Sequence, residues 1–436
     1  MLNVRRAHAM VWVAAALPLL LITPGLRSAD FENCAAILNL LGRLTGVAGL
    51  SCLLIAAILS CRVPGVDRPF GGLTKLWKTH HRLGAAALLL LLAHPPLLAL
   101  SAAGGSLTAA AQVLFPPQND WATWLGWVAL LAMMIFLAPG FAFFGQPEYQ
   151  RWRQLHRLSA LAVVAAVAHA AWFGRTIPAA ANTAIWLVLS AGAVAAVAWR
   201  LVFARRAGRL RYVIEQVLVR ANNVVELSLR PRGRHLEYVA GQFVYLTPFD
   251  ESLTVGRGEE HPYTLTSASN DPELRVAIKD LGDATHAIQS IAPGTDVGIE
   301  GPYGDFFPRG DTADPELWIA GGIGIAPFLG RLRDLAARGA QLDAHLIYCV
   351  QDPARAHFMD ELEQLAARVP GMRMTLHFFY RNGPLDAGFL IAHCGDFARR
   401  RAYVCGPEPL IALAEGLLLR AGVAGERIVT EEFTLL

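Results

Sequence analysis

The sequence predicts a multidomain membrane protein: a six-helix transmembrane bundle, then an antiparallel β-barrel domain, then an open α/β domain. Three observations carry this. With 54% hydrophobic and 17% charged residues over 436 positions, the chain is too long for one ordinary domain and too apolar to be soluble throughout, since soluble domains carry about 25% charged residues. Its charges are divided: residues 1–204 hold 14 Lys+Arg and 5 Asp+Glu, a net +9, whereas residues 205–436 hold 24 and 30, a net −6. The second half has ordinary polarity and reads first as strands and then as strands alternating with helices. The positive excess lies in loops that flank apolar runs, which excludes a nucleic-acid surface and makes membrane lipid the partner of residues 1–204.

Apolar runs mark six spans, at 9–25, 34–60, 77–101, 121–144, 154–174 and 183–204, each near the roughly 20 residues that cross a bilayer. The first is the shortest. Arg5 and Arg6 ahead of it also fit a signal peptide, but Arg27-Ser28-Ala29 is a poor cleavage site, and the reading is a retained helix. Twelve basic residues, from Arg5 and Arg6 to Arg209 and Arg211, fall in one set of alternating connections, against Arg27 and Arg175 in the other. By the positive-inside rule the N-terminus and the soluble half face the cytoplasm. The six cysteines form no C-x-x-C pair, and most of them read as inert buried thiols.

Ionisable residues inside spans are costly and therefore informative. The third span starts and ends with histidine, at His80 and His94, and so does the fifth, at His156 and His169. Fourteen residues of helix return to within about 40° of the same face some 21 Å along. Thirteen residues, as between His156 and His169, return at a poorer phase that a slight bend must absorb. Two such helices can clamp two stacked b-type haems, His80 with His156 near the inner surface and His94 with His169 near the outer. His81 is the alternate to His80, because its HRL context repeats that of His156. Arg43, in a span that also holds Gly42, Gly46 and Gly49, needs an anion or water. A propionate of the outer haem is one partner for it, and snorkelling is the alternative. The glycines permit close helix packing.

In the soluble half, runs such as VIEQVLV, VVELSL and GQFVYLTP, broken by turn residues up to about Pro308, read as a small antiparallel barrel. From Leu317 onward the pattern is that of a parallel sheet with helices. The segment GGIGIAP, with Gly321, Gly322, Gly324 and Pro327, follows an apolar strand and opens an amphipathic helix, a context that lets a dinucleotide pyrophosphate reach backbone amides. Cys405-Gly406-Pro407 ends another apolar strand. In His261-Pro262-Tyr263-Thr264-Leu265-Thr266-Ser267 an aromatic followed by hydroxyl residues can shield an isoalloxazine ring, with Thr264 near its N5. Lys279, Gly282 and Thr285 are offered to an anionic pyrophosphate.

These motifs together resemble the transmembrane flavocytochrome b family of NADPH oxidases and ferric reductases. There a six-helix bis-haem domain is fused to a ferredoxin-NADP reductase-like module. The resemblance covers about residues 34–436 and implies a bis-haem domain at 1–204, an FAD-binding β-barrel domain at 205–313 and an NAD(P)H-binding α/β domain at 314–436. It implies FAD, two haem b and NADPH (or NADH) as cofactors, with electrons passing from cytoplasmic NAD(P)H to dioxygen or a ferric chelate on the opposite face. Phe433 matches the family's terminal aromatic that covers the flavin, although Thr434, Leu435 and Leu436 follow it here. His261 stands where many reductase relatives carry arginine. Asp352 would repel a 2′-phosphate and Arg355 would bind one, so the residues leave the coenzyme open and the resemblance tilts it to NADPH. No protein partner is legible. A reductase that hands its electrons to a separate membrane or periplasmic partner protein is the alternative.

Overall fold

The computed structural model describes residues 4–138, 149–173, 180–203, 209–221, 223–253, 255–310 and 314–432. The chain divides into two compact units, Met1–Val63 with Lys75–Arg205, and Pro64–Thr74 with Arg206–Leu436.

The first unit is helical: α1 (Val4–Ile22), α2 (Cys34–Leu59), α3 (Leu73–Ala103), α4 (Leu107–Leu114), α5 (Trp121–Leu137), α6 (Tyr149–His156), α7 (Leu158–Phe173) and α8 (Ala180–Ala198), the last running into a π turn at Trp199–Phe203. Side-chain caps start three of them, with Asn33, Ser106 and Asp120 accepting from the backbone N–H groups of Ala36, Ala109 and Thr123. Among the described residues three helices are long and apolar enough to cross a membrane, Cys34–Leu59, Leu73–Ala103 and Arg151–Phe173. The apolar helices Arg6–Leu20, Trp121–Leu137 and Thr183–Ala198 are shorter. The fifth expected span is interrupted at Arg157, between α6 and α7. The amphipathic α4 lies in the connection after the third expected span. α2 packs on α1 and α8, and α5 packs on α7.

The second unit holds two sheets. β1 (Leu210–Ala221), β2 (Val224–Pro231), β3 (Phe243–Pro248), β4 (His261–Thr264), β5 (Leu274–Lys279) and β6 (Asp296–Tyr303) form an antiparallel sheet ordered β4-β3-β6-β1-β2-β5. It is a half-barrel rather than the closed barrel that the strand pattern suggests, because the edges meet only at the Leu265–Val276 bridge. Buried Tyr212, Ile214, Leu227, Val244, Leu246 and Ile299 fill its concave side, and α9 (Asp283–Ile288) follows β5.

β7 (Glu316–Gly321), β8 (Ala344–Val350), β9 (Met372–Phe378), β10 (Arg401–Gly406) and β11 (Ile428–Glu432) form a parallel sheet ordered β11-β10-β7-β8-β9. Its central strands β7, β8 and β10 are buried on both faces, as βαβ crossovers require. The covering helices are α10 (Ala326–Arg338), α11 (Met359–Arg368), α12 (Ala387–His393) and α13 (Glu408–Arg420). Strand order reverses between β7 and β10, which puts a crevice beyond the carboxyl ends of those two strands.

Candidate functional site

Within the helical unit the four histidines form two pairs. The ring centres of His80 and His156 are 6.3 Å apart, and those of His94 and His169 are 6.4 Å apart. Two imidazoles bonded to opposite sides of one metal at about 2.0–2.1 Å, each through a nitrogen about 1.1 Å from its ring centre, stand about 6.2–6.4 Å apart. The Nδ1 atoms of three rings are tied off: His80 to the Ala56 carbonyl at 2.8 Å, His94 to that of Gly42 at 2.7 Å and His169 to that of Ala122 at 2.8 Å. Donation from Nδ1 leaves Nε2 as the lone-pair nitrogen, the arrangement found on metal-ligating histidines. His156 Nδ1 is buried without a hydrogen-bond partner. Among the described residues no three His, Cys, Asp or Glu side chains form a metal cluster, so each pair suits a metal whose other ligands come from elsewhere, as a porphyrin supplies them.

Glycine shapes the surroundings of the His94–His169 pair. A Cβ on Gly46 would stand 2.8 Å from the His94 ring, and one on Gly126 would stand 2.8 Å from that of His169. Gly42 and Gly49 instead admit Leu98 and Leu91 of α3. His81 is exposed, its ring centre 6.1 Å from that of His80. The Arg43 guanidinium donates to the Asp30 carboxylate, so a protein carboxylate serves as its anion. The Arg27 backbone N–H, with Arg43 further down in effect, holds the Asp30 carboxyl below its ordinary range.

In the second unit, β4 carries the HPYT segment against β3, with Tyr263 opposite Val244 and Thr264 opposite Phe243. Thr264 is 5% exposed. The Tyr263 hydroxyl is buried with no hydrogen-bond partner, an orphan that a bound flavin would satisfy. His261 Nε2 lies 3.2 Å from the Glu259 carboxylate, and Pro262 pairs with Tyr245. The hydroxyls of Thr266 and Ser267 are fully buried and committed, Thr266 donating to Glu226 at 2.8 Å and Ser267 meeting Tyr238 at 2.6 Å. Thr285 Oγ1 accepts the Leu281 and Gly282 N–H groups at 2.8 and 2.9 Å. Lys279 ends β5, and Gly282 lines an open cavity of about 520 Å³ with Ser252, Leu253, Val255, Asp280 and His286.

At the switch point, Gly321 ends β7, a 3-10 turn spans Gly322–Ile325, and Pro327 sits in the first turn of α10. The turn lies against Cys405-Gly406-Pro407: a Cβ on Gly324 would be 2.3 Å from the Cys405 carbonyl oxygen, and one on Gly321 would be 2.9 Å from Pro407. Gly322 differs, since its φ is +54° and a Cβ there meets nothing within 4 Å. It faces open space where a ligand can approach backbone. Burial, reinforced by Glu431, holds the Cys405 thiol well above its ordinary range, so it stays neutral. Asp352 and Arg355 pair with each other at 3.6 Å, and Arg355 also donates to Gln351. Phe433 lies outside the described residues.

Two contributors escaped the motifs. Tyr348 on β8 donates to the Gly322 carbonyl at 3.0 Å and accepts the His357 N–H at 3.1 Å, which fixes the glycine turn. Gly126 clears the His169 ring. The only signal for either is its residue type: a tyrosine two residues from the end of an apolar strand, and a glycine inside a Trp-rich span.

Three family models match in series: a ferric reductase like transmembrane component at residues 45–167, an FAD-binding domain at 210–306 and an oxidoreductase NAD-binding domain at 318–416. Among curated relatives, the chain is 29% identical over 210 residues to an NADPH oxidoreductase of Mycobacterium tuberculosis, covering 47% of this chain and 54% of that one. It is 31% identical over 205 residues to the ferredoxin reductase component of 3-ketosteroid-9-alpha-monooxygenase of Mycolicibacterium smegmatis, covering 45% and 56%. The chain thus spans about half the length of these relatives. A solved structure, the flavohem-like FAD/NAD binding domain of nitric oxide dioxygenase from Vibrio cholerae, is 25% identical with a TM-score of 0.45, covering 51% of this chain and 98% of that one. A ferric reductase-like membrane component followed by FAD-binding and NAD-binding domains is the plan of the flavocytochrome b, NADPH oxidase-like family, and the chain has that plan, with the domains of an NAD(P)H-dependent oxidoreductase.

Proposed function

We propose that the protein is a six-span oxidoreductase that passes electrons from cytoplasmic NAD(P)H by way of FAD and two b-type haems to an acceptor on the opposite face, dioxygen (yielding superoxide) or ferric iron. The observation that carries this is the pair of histidine couples at 6.3 and 6.4 Å, with three of the four Nδ1 atoms bonded to backbone carbonyls. Nicotinamide gives up two electrons as hydride and haem takes one at a time, so FAD supplies the two-to-one conversion when bound.

The protein's own residues hold and orient. His80 with His156, and His94 with His169, would hold the haem irons through Nε2, while the Ala56, Gly42 and Ala122 carbonyls fix the tautomers of three of the rings. Tyr263 and Thr264 would border the isoalloxazine of a bound FAD, and Lys279 would meet its pyrophosphate. The Gly322 backbone meets the coenzyme pyrophosphate at the start of α10. A 2′-phosphate must compete with Asp352 and Gln351 for Arg355, so both coenzymes belong in the assay.

The second reading, electron delivery to a separate partner protein, is supported by the Mycolicibacterium relative, a ferredoxin reductase component. One experiment separates the two: purified protein given NADPH or NADH, with oxygen or a ferric chelate as sole acceptor, with and without superoxide dismutase. The proposal expects haem reduction under anaerobic conditions and coenzyme turnover without a partner. Coenzyme oxidation that leaves the haem absorbance unreduced, or turnover only with an added partner, contradicts it.

A further inference from the structure

α10 leaves the glycine turn and runs along the tail of the flavin segment, touching it on successive turns. A Cβ on Gly330 would stand 2.8 Å from the Leu265 carbonyl oxygen, so helix and strand tail meet at backbone distance. One turn on, Arg333 Nη1 donates to the Thr266 carbonyl at 2.9 Å and to Glu226 Oε1 at 2.7 Å. Its Nε and Nη2 donate to Glu361 of α11 at 2.7 and 2.9 Å. Beside it, Asp334 accepts from the Ser269 N–H at 3.3 Å and from its hydroxyl at 2.5 Å. Arg220 of β1 donates to Glu226 Oε2 at 3.0 Å.

The Glu226 and Arg333 side chains are 0% and 6% exposed. Burial pushes the Glu226 carboxyl up, but Arg333 and Arg220 prevail and bring it down to about 2. Two arginines and two glutamates balance in charge. Buried ion pairs add little stability over an apolar filling, because desolvation offsets their attraction. Such a network is better suited to fixing geometry, and the rigid arginine fork is the group that can hold three partners at once.

We propose that Arg333 is a positioning residue for hydride transfer. By tying the nucleotide helix to the Thr266 carbonyl, beside the Asp334 bonds to Ser269, it sets the distance between the coenzyme at the Gly322 turn and the flavin edge at Tyr263 and Thr264. This rests on the NAD(P)H-to-flavin reading above. In that step the C4–H bond of the dihydronicotinamide breaks, and the hydrogen passes with its electron pair to flavin N5. The coenzyme leaves oxidised by two electrons and the flavin gains them. A misplacement of about 1 Å costs such a step about 100-fold.

The test uses the full-length protein and compares wild type with Arg333→Met, Arg333→Lys and Gly330→Ala. Anaerobic flavin reduction is followed at saturating NADPH and NADH, with C4-deuterated coenzyme in parallel. Hydrogen exchange at residues 265–269 is read on flavin-free protein. In Arg333→Met the rate constant falls about 10- to 100-fold with unchanged FAD occupancy, the half-saturating coenzyme concentration moves less than about 3-fold, and the primary isotope effect rises. The Thr266–Ser269 amides exchange about tenfold faster without flavin. Gly330→Ala moves in the same direction, and Arg333→Lys lies between. A folded, FAD-replete Arg333→Met that reduces flavin at the wild-type rate overturns the proposal, even if it melts earlier. Should Arg333→Met fail to fold, Glu361→Gln, which leaves Glu226 paired, decides the matter on the same rate. Wild-type protein that transfers no hydride to flavin refutes the underlying reading instead.

Discussion

Adding a single methyl at Gly322 or at Gly324 separates a ligand-facing turn from a packing turn. At Gly324 the new Cβ would lie 2.3 Å from the Cys405 carbonyl oxygen and 2.7 Å from its carbon, both backbone atoms. The turn or β10 must then move by nearly 1 Å, and overpacking of this kind costs about 1–3 kcal/mol. For a compact unit spanning Pro64–Thr74 and Arg206–Leu436 that lowers Tm by roughly 2–4 °C per kcal/mol. At Gly322 the Cβ meets nothing within 4 Å, and the penalty is the left-handed φ of +54°, worth roughly 1–2 kcal/mol. The Gly322 methyl instead projects where the coenzyme pyrophosphate must approach. Gly322→Ala should therefore raise the KM for NAD(P)H by about tenfold, equivalent to roughly 1.4 kcal/mol of lost binding, with haem content unchanged. Gly324→Ala should show its effect first in thermal unfolding. The assay is a coenzyme titration with ferricyanide as acceptor, beside melting followed by flavin fluorescence. A folded Gly322→Ala with wild-type KM refutes the assignment of this turn to the coenzyme.

Replacing His94 or His169 with Leu should remove the outer haem and leave about one per chain by pyridine haemochrome, whereas His80 or His156 should cost the inner one. Wild-type protein carrying one haem or none contradicts the pairing. Thr264→Val should slow flavin reduction by about tenfold with FAD occupancy unchanged, and a wild-type rate would remove Thr264 from the flavin edge. Burial first, then Lys279, brings the His357 imidazole down to about 4, and burial first, then Arg373 and Arg400, does the same for His345. With folded values below the unfolded value of about 6.5, their stability contribution is complete above that pH and is lost as pH falls toward 4, by up to roughly 3 kcal/mol each. Tm should thus drop between pH 7 and pH 5, less so in His357→Asn, and a flat Tm would exclude this burial penalty.

The candidate site could be read in the sequence where its chemistry demands particular residue types at fixed spacing. The His80–His94 interval lies within the single helix α3, whereas a break at Arg157 separates His156 from His169, and the Gly321–Pro327 turn follows from the strand-to-helix transition that carries it. What stayed hidden depends on contacts between distant segments. Arg43 looked unpartnered from its own helix, yet Asp30 in the preceding connection answers it. Thr266 and Ser267 read as flavin hydroxyls beside Tyr263 and Thr264, but beyond the end of β4 their hydroxyls meet Glu226 and Tyr238. The half-barrel's open edge could not be read from strand patterns, since closure depends on pairing between β4 and β5. Glu226 and Arg333 are 107 positions apart, and nothing local marks them as partners.

The central claim, that electrons cross the membrane, is tested most directly in sealed vesicles with the soluble half outside and an impermeant acceptor trapped within. Added NADPH should reduce the trapped acceptor, with His94→Leu abolishing the signal while flavin reduction persists. If only an acceptor on the outside is reduced while the vesicles remain sealed, the helical unit does not conduct electrons across the bilayer and the account is contradicted.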